Sequence, residues 1–261
     1  MITVETFNTH REASSALNDR TRFLAGGTLL MRDVNYAVPG IEHIVRSLEP
    51  LRTIRSEGGS VFIGAAATML DVINARETAF LAPVARAVGG PAIRNMATVG
   101  GNLFAPSPFG DFTTALLALD ATIHFADGRH EEIETFLAQR DSGRRIVTAI
   151  SVVPPLSGSF LFSKISRTKP KGPAILSIAV RLPSGGQEAR VAFGAMGPTP
   201  LRAKAAEAAL SRTRIDEQGI APVIAVATEG LAPADDALAS QWYRRQVAPV
   251  HLKRLLLGGQ R

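Results

Sequence analysis

The chain has 261 residues, 46% of them hydrophobic, with 29 Lys and Arg against 23 Asp and Glu for a formal charge of +6, and no cysteine. That length and apolar content can bury a substantial core in one or two domains, while the apolar runs stop well short of the roughly 20 residues of a bilayer helix. The missing cysteines exclude disulfides, thiolate nucleophiles and cysteine-held zinc or iron-sulfur centres within this chain. The basic balance favours anionic ligands or acidic partners, and 6% aromatic residues with one Trp argue against nucleic acid.

The amino terminus carries neither a charged leader nor an apolar signal core, which points to the cytoplasm. Thr9-His10-Arg11-Glu12 has capping-box spacing and predicts a helix over 9–17. Residues 23–25 read as a short buried strand that feeds Ala25-Gly26-Gly27-Thr28. Helical spacing of Leu29, Leu30, Met31 and Val34 then puts the glycines at a strand-to-helix turn, where main-chain N–H groups converge on an anion. Further on, 60–64 reads as a strand, Thr68 and Asp71 cap a helix, and 80–88 forms another helix closed by Gly89-Gly90. Alternation at 121–125 followed by Asp127-Gly128 predicts a hairpin, and 146–153 a strand ending at Pro154-Pro155.

Those prolines, with Ser157-Gly158-Ser159, mark a boundary between domains 1–157 and 158–261. Beyond it, strands at 160–166, 174–182 and 189–195 form an antiparallel sheet, followed by helices at 201–210, 220–229 and 240–257, with Pro249 expected to kink the last. The five histidines, at 10, 43, 124, 130 and 251, lack ligand spacing and read as surface or strand residues.

The second glycine turn, Thr98-Val99-Gly100-Gly101-Asn102, runs through Ser107-Pro108-Phe109-Gly110-Asp111 into the apolar stretch 115–119. Two such turns suit a buried diphosphate, whose charge main-chain donors can match at close range where no Cβ intervenes. Thr28, Thr98 and Asn102 would add side-chain donors. Asp111 reads equally as a helix cap or a ligand contact. Lys164 and Arg167, in the basic stretch that continues to Lys169 and Lys171, read by default as solvated. The Rossmann, Walker and Gly-x-Ser-x-Gly patterns are absent.

At these residues the chain resembles the FAD-binding medium subunits of the molybdenum hydroxylases, the family of xanthine dehydrogenase and aerobic carbon monoxide dehydrogenase. The resemblance is carried by Ala25 to Thr28, Arg94-Asn95-Met96-Ala97-Thr98-Val99-Gly100-Gly101-Asn102-Leu103, Ser107 to Asp111, 115–119, Lys164-Ile165-Ser166-Arg167, Pro200-Leu201-Arg202-Ala203 with Ala206-Glu207, and Tyr243-Arg244-Arg245. It implies an α+β protein: an FAD domain of the vanillyl-alcohol oxidase (PCMH) type, then a flavoprotein carboxy-terminal domain with a small antiparallel sheet and helices.

By the same resemblance, Ala25, Gly26, Gly27, Thr28, Leu29 and Leu30 hold the FAD diphosphate with Gly100, Gly101 and Asn102. Thr98 and Asp111 stand at the flavin nucleotide, Lys164 lies nearby, and Val88 and Val147 pack against FAD. No side chain acts as a catalytic acid or base, and no metal is held. The implied partners are a large molybdopterin subunit and a small subunit with two [2Fe-2S] clusters, with electrons leaving to an acceptor such as NAD or a quinone. The alternative is an autonomous FAD-dependent oxidoreductase of the same fold. Leu29 and Pro106 depart from the family pattern. Lys171-Gly172-Pro173 stands where relatives carry Gly-Asp-Tyr, which removes an expected aromatic shield over the flavin.

Overall fold

The computed structural model describes residues 2–140, 145–168 and 172–258. Lys169 and Lys171 of the basic stretch lie outside them. The first 50 residues alternate strand and helix: β1 (Thr3–Phe7), α1 (His10–Ser15), β2 (Thr21–Phe23), α2 (Leu30–Asn35) and β3 (His43–Ser47). They form a parallel sheet ordered β1-β3-β2. Thr9 and Glu12 make the capping box of α1. The helix stops at Ser15, two residues early, and the strand placed at 23–25 is Thr21–Phe23, so the glycine turn begins one step beyond it.

Next come β4 (Ile54–Glu57), β5 (Ser60–Gly64) and α3 (Met69–Asn74), the last opened by a second capping box between Thr68 and Asp71. The helix expected over 80–88 is two pieces, a 3₁₀ segment Arg76–Leu81 and α4 (Ala82–Ala87), stopped where Gly89 takes φ +52°. Three short helices follow: α5 (Pro91–Met96), α6 (Val99–Leu103) and α7 (Asp111–Ala118). Then β6 (Thr122–Phe125) and β7 (His130–Glu132) make the expected hairpin, and α8 (Ile133–Gln139) leads to β8 (Val147–Val152). The resulting antiparallel sheet is ordered β4-β5-β8-β6-β7.

The remaining strands, β9 (Phe160–Ser166), β10 (Ala174–Arg181), β11 (Arg190–Gly194) and β12 (Leu201–Arg202), form an antiparallel sheet ordered β12-β11-β10-β9. Leu201 and Arg202, read from sequence as helix, pair with Phe193 and Ala192, so the helix α9 spans Lys204–Leu210. The next helix, expected over 220–229, is only α10 (Ala221–Ala225). The last, α11 (Gln241–Gly258), continues through Pro249 and seats Arg244, Ala248, Leu252 and Leu256 as a buried row four residues apart.

Every residue of β10 is buried, as its unbroken apolar run implies for a strand covered on both faces. Leu176, Ile178 and Val180 join the core under α9–α11, while Ala179 joins the core that holds α7. That double cover is why α7 is buried all round. Among the described residues no helix is long and apolar enough to cross a membrane.

Candidate functional site

Strand β2 ends by giving the Leu24 N–H to Val45 O at 2.8 Å, and the chain then turns through Ala25–Leu29. Among the described residues the N–H groups of Ala25, Gly26, Gly27, Thr28 and Leu29 donate to no protein acceptor, nor does the Thr28 hydroxyl. Gly27 adopts φ +72°, a conformation that favours glycine. A methyl group on Gly26 would occupy the space of the Met96 carbonyl oxygen, so the two glycine turns lie directly against each other. Leu29 precedes α2 without a capping side chain, and α2 has six residues, so the donors are individual amides rather than a long helix dipole. Leu29 and Leu30 are half-buried.

The second turn works differently from the sequence expectation. Its amides are spent within the protein: Val99 N–H on Ala67 O at 2.8 Å, Gly100 N–H on Ala65 O at 2.9 Å, Asn102 N–H on Thr98 O at 3.0 Å and Gly101 N–H on Thr98 Oγ1 at 3.0 Å. The reason is local. Thr98 caps a helix that starts at Val99 and takes in both glycines, and the bridge between Thr98 and Thr68 draws the turn against the segment that follows β5. A Cβ on Gly100 would stand 2.8 Å from the Ala65 methyl, so this glycine serves packing. The Asn102 side chain accepts from Thr113 N–H at 3.0 Å and donates one N–H to Phe109 O at 3.5 Å, which ties α6 to the start of α7. Its second amide N–H has no protein acceptor among the described residues. The second turn offers a rigid wall and the Thr98 N–H, which has no protein acceptor among the described residues.

Asp111 is not the cap of α7. Gly110 holds that position, and Asp111 sits in the first turn with no capping bond. Its Oδ2 instead meets Lys164 Nζ of β9 at 2.6 Å. Lys164, read as solvated, keeps only 11% of its side chain exposed, and its ammonium also donates to Ala87 O at 3.0 Å. Asp111 Oδ1 is buried with no hydrogen-bond partner. Burial pushes the Asp111 carboxyl above the usual range, and the Lys164 ammonium pulls it back.

Val88 follows Ala87 as the C-cap of α4, and both it and Val147 are buried in the first core. Val147 pairs with Phe125, and its neighbour Thr148 accepts the N–H of Ala65, the residue that also accepts from Gly100. The Arg32 guanidinium of α2 stands over the Phe109 ring at 5.2 Å and so joins the first turn to the loop that delivers Asp111. Arg32, Thr114 and Ser177 are not among the residues the sequence singles out, and Phe109 is so only as part of the motif 107–111. Of the first three, Ser177 alone left a signal in the sequence, as a hydroxyl inside the apolar run of β10.

Comparison with known proteins accounts for this arrangement. Residues 2–155 match the FAD binding domain in molybdopterin dehydrogenase, and 162–258 the CO dehydrogenase flavoprotein C-terminal domain. The carbon monoxide dehydrogenase medium chain of Hydrogenophaga pseudoflava is 26% identical, with 92% of this chain and 89% of that protein covered. The xanthine dehydrogenase FAD-binding subunit of Escherichia coli O157:H7 is 28% identical over 92% and 88%. A solved carbon monoxide dehydrogenase from Hydrogenophaga pseudoflava superposes with a TM-score of 0.87 at 25% identity, covering 99% of this chain and 97% of that one. The chain belongs to the FAD-binding subunits of the molybdopterin-dependent dehydrogenases, an oxidoreductase family related to carbon monoxide and xanthine dehydrogenase.

Proposed function

We propose that this chain is the electron exit of a heterotrimeric molybdenum hydroxylase. In this reading it takes electrons from the [2Fe-2S] clusters of a small partner, while a large molybdopterin subunit oxidises the substrate, and it passes them to an acceptor such as NAD or a quinone. Bound FAD supplies the redox chemistry. The chain's own residues bind and orient it. The observation that carries the reading is the row of unspent amides from Ala25 to Leu29, set against the Thr98 N–H across the Gly26–Met96 contact. A diphosphate is the cofactor group that such a row matches, since main-chain N–H groups with no protein acceptor can be given to its oxygens where glycine lets it approach. The unpartnered Asp111 Oδ1 and the Lys164 ammonium suit a second, polar part of the same cofactor.

Within this reading Gly100, Gly101 and Asn102 shape the wall behind the diphosphate, and Val88 and Val147 support it from the core. The division between domains falls at 157/158, a placement supported by the gap between the two family matches. The cytoplasm is the proposed location. The partners follow from relatives that are medium chains or FAD subunits of named dehydrogenases.

The test has two parts. The purified chain should take up FAD and show a flavin absorption band. That flavin should be reduced by substrate only when the molybdopterin and iron-sulfur chains are present. Reduction of the flavin by an organic substrate with this chain alone would establish the autonomous oxidoreductase instead.

A further inference from the structure

Ser177 lies at the middle of β10, 1% exposed, opposite Lys164 in the β9–β10 register and opposite Gly194 in the β10–β11 register. Its Oγ is 3.3 Å from Thr114 Oγ1 of α7. Thr114 spends its own proton on Gly110 O at 3.0 Å, so in this pair Ser177 is the donor. Asp111 stands one helical turn before Thr114 on the same face of α7. A Cβ on Gly194 would collide with Ser177 Oγ and stand 2.5 Å from Thr114 Oγ1, so the glycine keeps the room in which the serine hydroxyl sits. Four polar side chains, Asp111, Thr114, Lys164 and Ser177, thus form one buried layer between α7 and the carboxy-terminal sheet. Within it Asp111 Oδ1 lacks a partner. Ser177 is also among the groups that draw the Asp111 carboxyl down against the effect of burial.

We propose that Ser177 is a positioning residue of the flavin site, its hydroxyl turning from Thr114 Oγ1 to Asp111 Oδ1 to hold the carboxylate, and through it the Lys164 ammonium, in the orientation that meets the cofactor. The inference rests on the reading of Asp111 and Lys164 given above. A carboxylate oxygen accepts more than one hydrogen bond, so Oδ1 keeps a lone pair for a cofactor donor after Ser177 has turned. The groups facing Asp111 are the Lys164 ammonium from β9, the Ala87 carbonyl bound to Lys164 from α4, Thr114 from α7 and Ser177 from β10. The carboxy-terminal domain would in this way act on a cofactor held mainly by the first domain.

The test is titration of the full chain, stripped of flavin, with FAD from about pH 5 to about pH 8. Ser177→Ala should weaken binding about ten- to hundredfold, the worth of one hydrogen bond to a charged group. It should also move the acid limb of the binding profile to higher pH, because Asp111 loses a donor that favours its ionised form. In an Asp111→Asn background the Ser177→Ala change should have no further effect. Thr114→Val, which removes the competing acceptor, should keep FAD affinity within about twofold although it costs thermal stability. Unchanged affinity and pH profile in Ser177→Ala overturns the inference, as does an equal loss in the Asp111→Asn background or in Thr114→Val, since those outcomes mark a packing role. In those cases FAD binding by the wild type leaves the parent reading standing. A wild-type chain that takes up no FAD overturns both.

Discussion

Gly26 lies so close to the Met96 carbonyl that no side chain fits between them, and this contact brings the two glycine turns together. Gly26→Ala must therefore separate the turns. It should lower stability by about 2–4 kcal/mol and abolish flavin retention. Gly101 differs, because a Cβ there meets only Thr98 Oγ1, at 2.9 Å. Gly101→Ala gains about 1 kcal/mol of helix propensity, which offsets the shift forced on Thr98 Oγ1, so it should leave stability nearly unchanged while still reducing flavin content. Thermal melts alongside the ratio of flavin to protein absorbance distinguish the two, and equal melting temperatures would contradict the packing argument.

Removing Lys164 leaves the Asp111 carboxylate buried without its cation. Lys164→Met should destabilise the fold by about 3–5 kcal/mol at neutral pH. Burial raises the folded value of Asp111, so the native state holds this proton more tightly than the unfolded chain does. That contribution is complete at low pH and is lost as pH rises through the folded value. The cost of Lys164→Met should accordingly shrink on acidification. Urea denaturation at neutral pH and near pH 4.5 measures it, and a cost that grew at the lower pH would refute the assignment.

Asp120 joins the two halves of the molecule. It ends the α7 turn at φ +50° and accepts from Arg181 at 2.6 Å and Arg190 at 2.9 Å, both on the carboxy-terminal sheet. Asp120→Ala loses these bonds in a backbone conformation that alanine resists, for about 1–3 kcal/mol. Asn tolerates the conformation and Gly relieves it, so the order of stability should be wild type, then Asn and Gly, then Ala. Chemical denaturation of the four proteins gives the ranking directly.

His10 donates its backbone N–H to Glu49 Oε2 at 2.8 Å, and its ring Nδ1 lies 3.0 Å from the same oxygen. These contacts, the backbone one foremost, hold the Glu49 carboxyl below its ordinary value of 4.5. A lowered carboxylate stabilises the fold above the unfolded value, and the effect is lost as pH falls through the folded one. Glu49 is partly solvated, so the effect is small. The wild type and Glu49→Gln should differ in melting temperature at neutral pH and converge below about pH 4.

His10 also shows where one-dimensional reading fails. The sequence places it on the surface or in a strand, yet it is buried at the start of α1, where Glu49, 39 residues away, comes back to it beside Phe23. By contrast, the capping boxes at Thr9 and Thr68, the hairpin at Asp127-Gly128 and the strands β5, β8, β9, β10 and β11 were legible because each depends on neighbours a few residues apart. The parallel sheet of β1, β2 and β3 was not, since its pairing is set by contacts across 20 or more residues of chain.

The site divides in the same way. Sequence alone determined the two glycine turns, the family they announce and the flavin they imply, because main-chain chemistry at a turn is written in consecutive residues. The tertiary structure decided which turn keeps its amides free, since only packing shows that Val99 and Gly100 donate to Ala67 and Ala65 while Ala25 to Leu29 have no protein acceptor. It also made Asp111 the partner of Lys164 rather than a helix cap, because a carboxylate enclosed by α7 and β9 takes a cation that the fold brings to it.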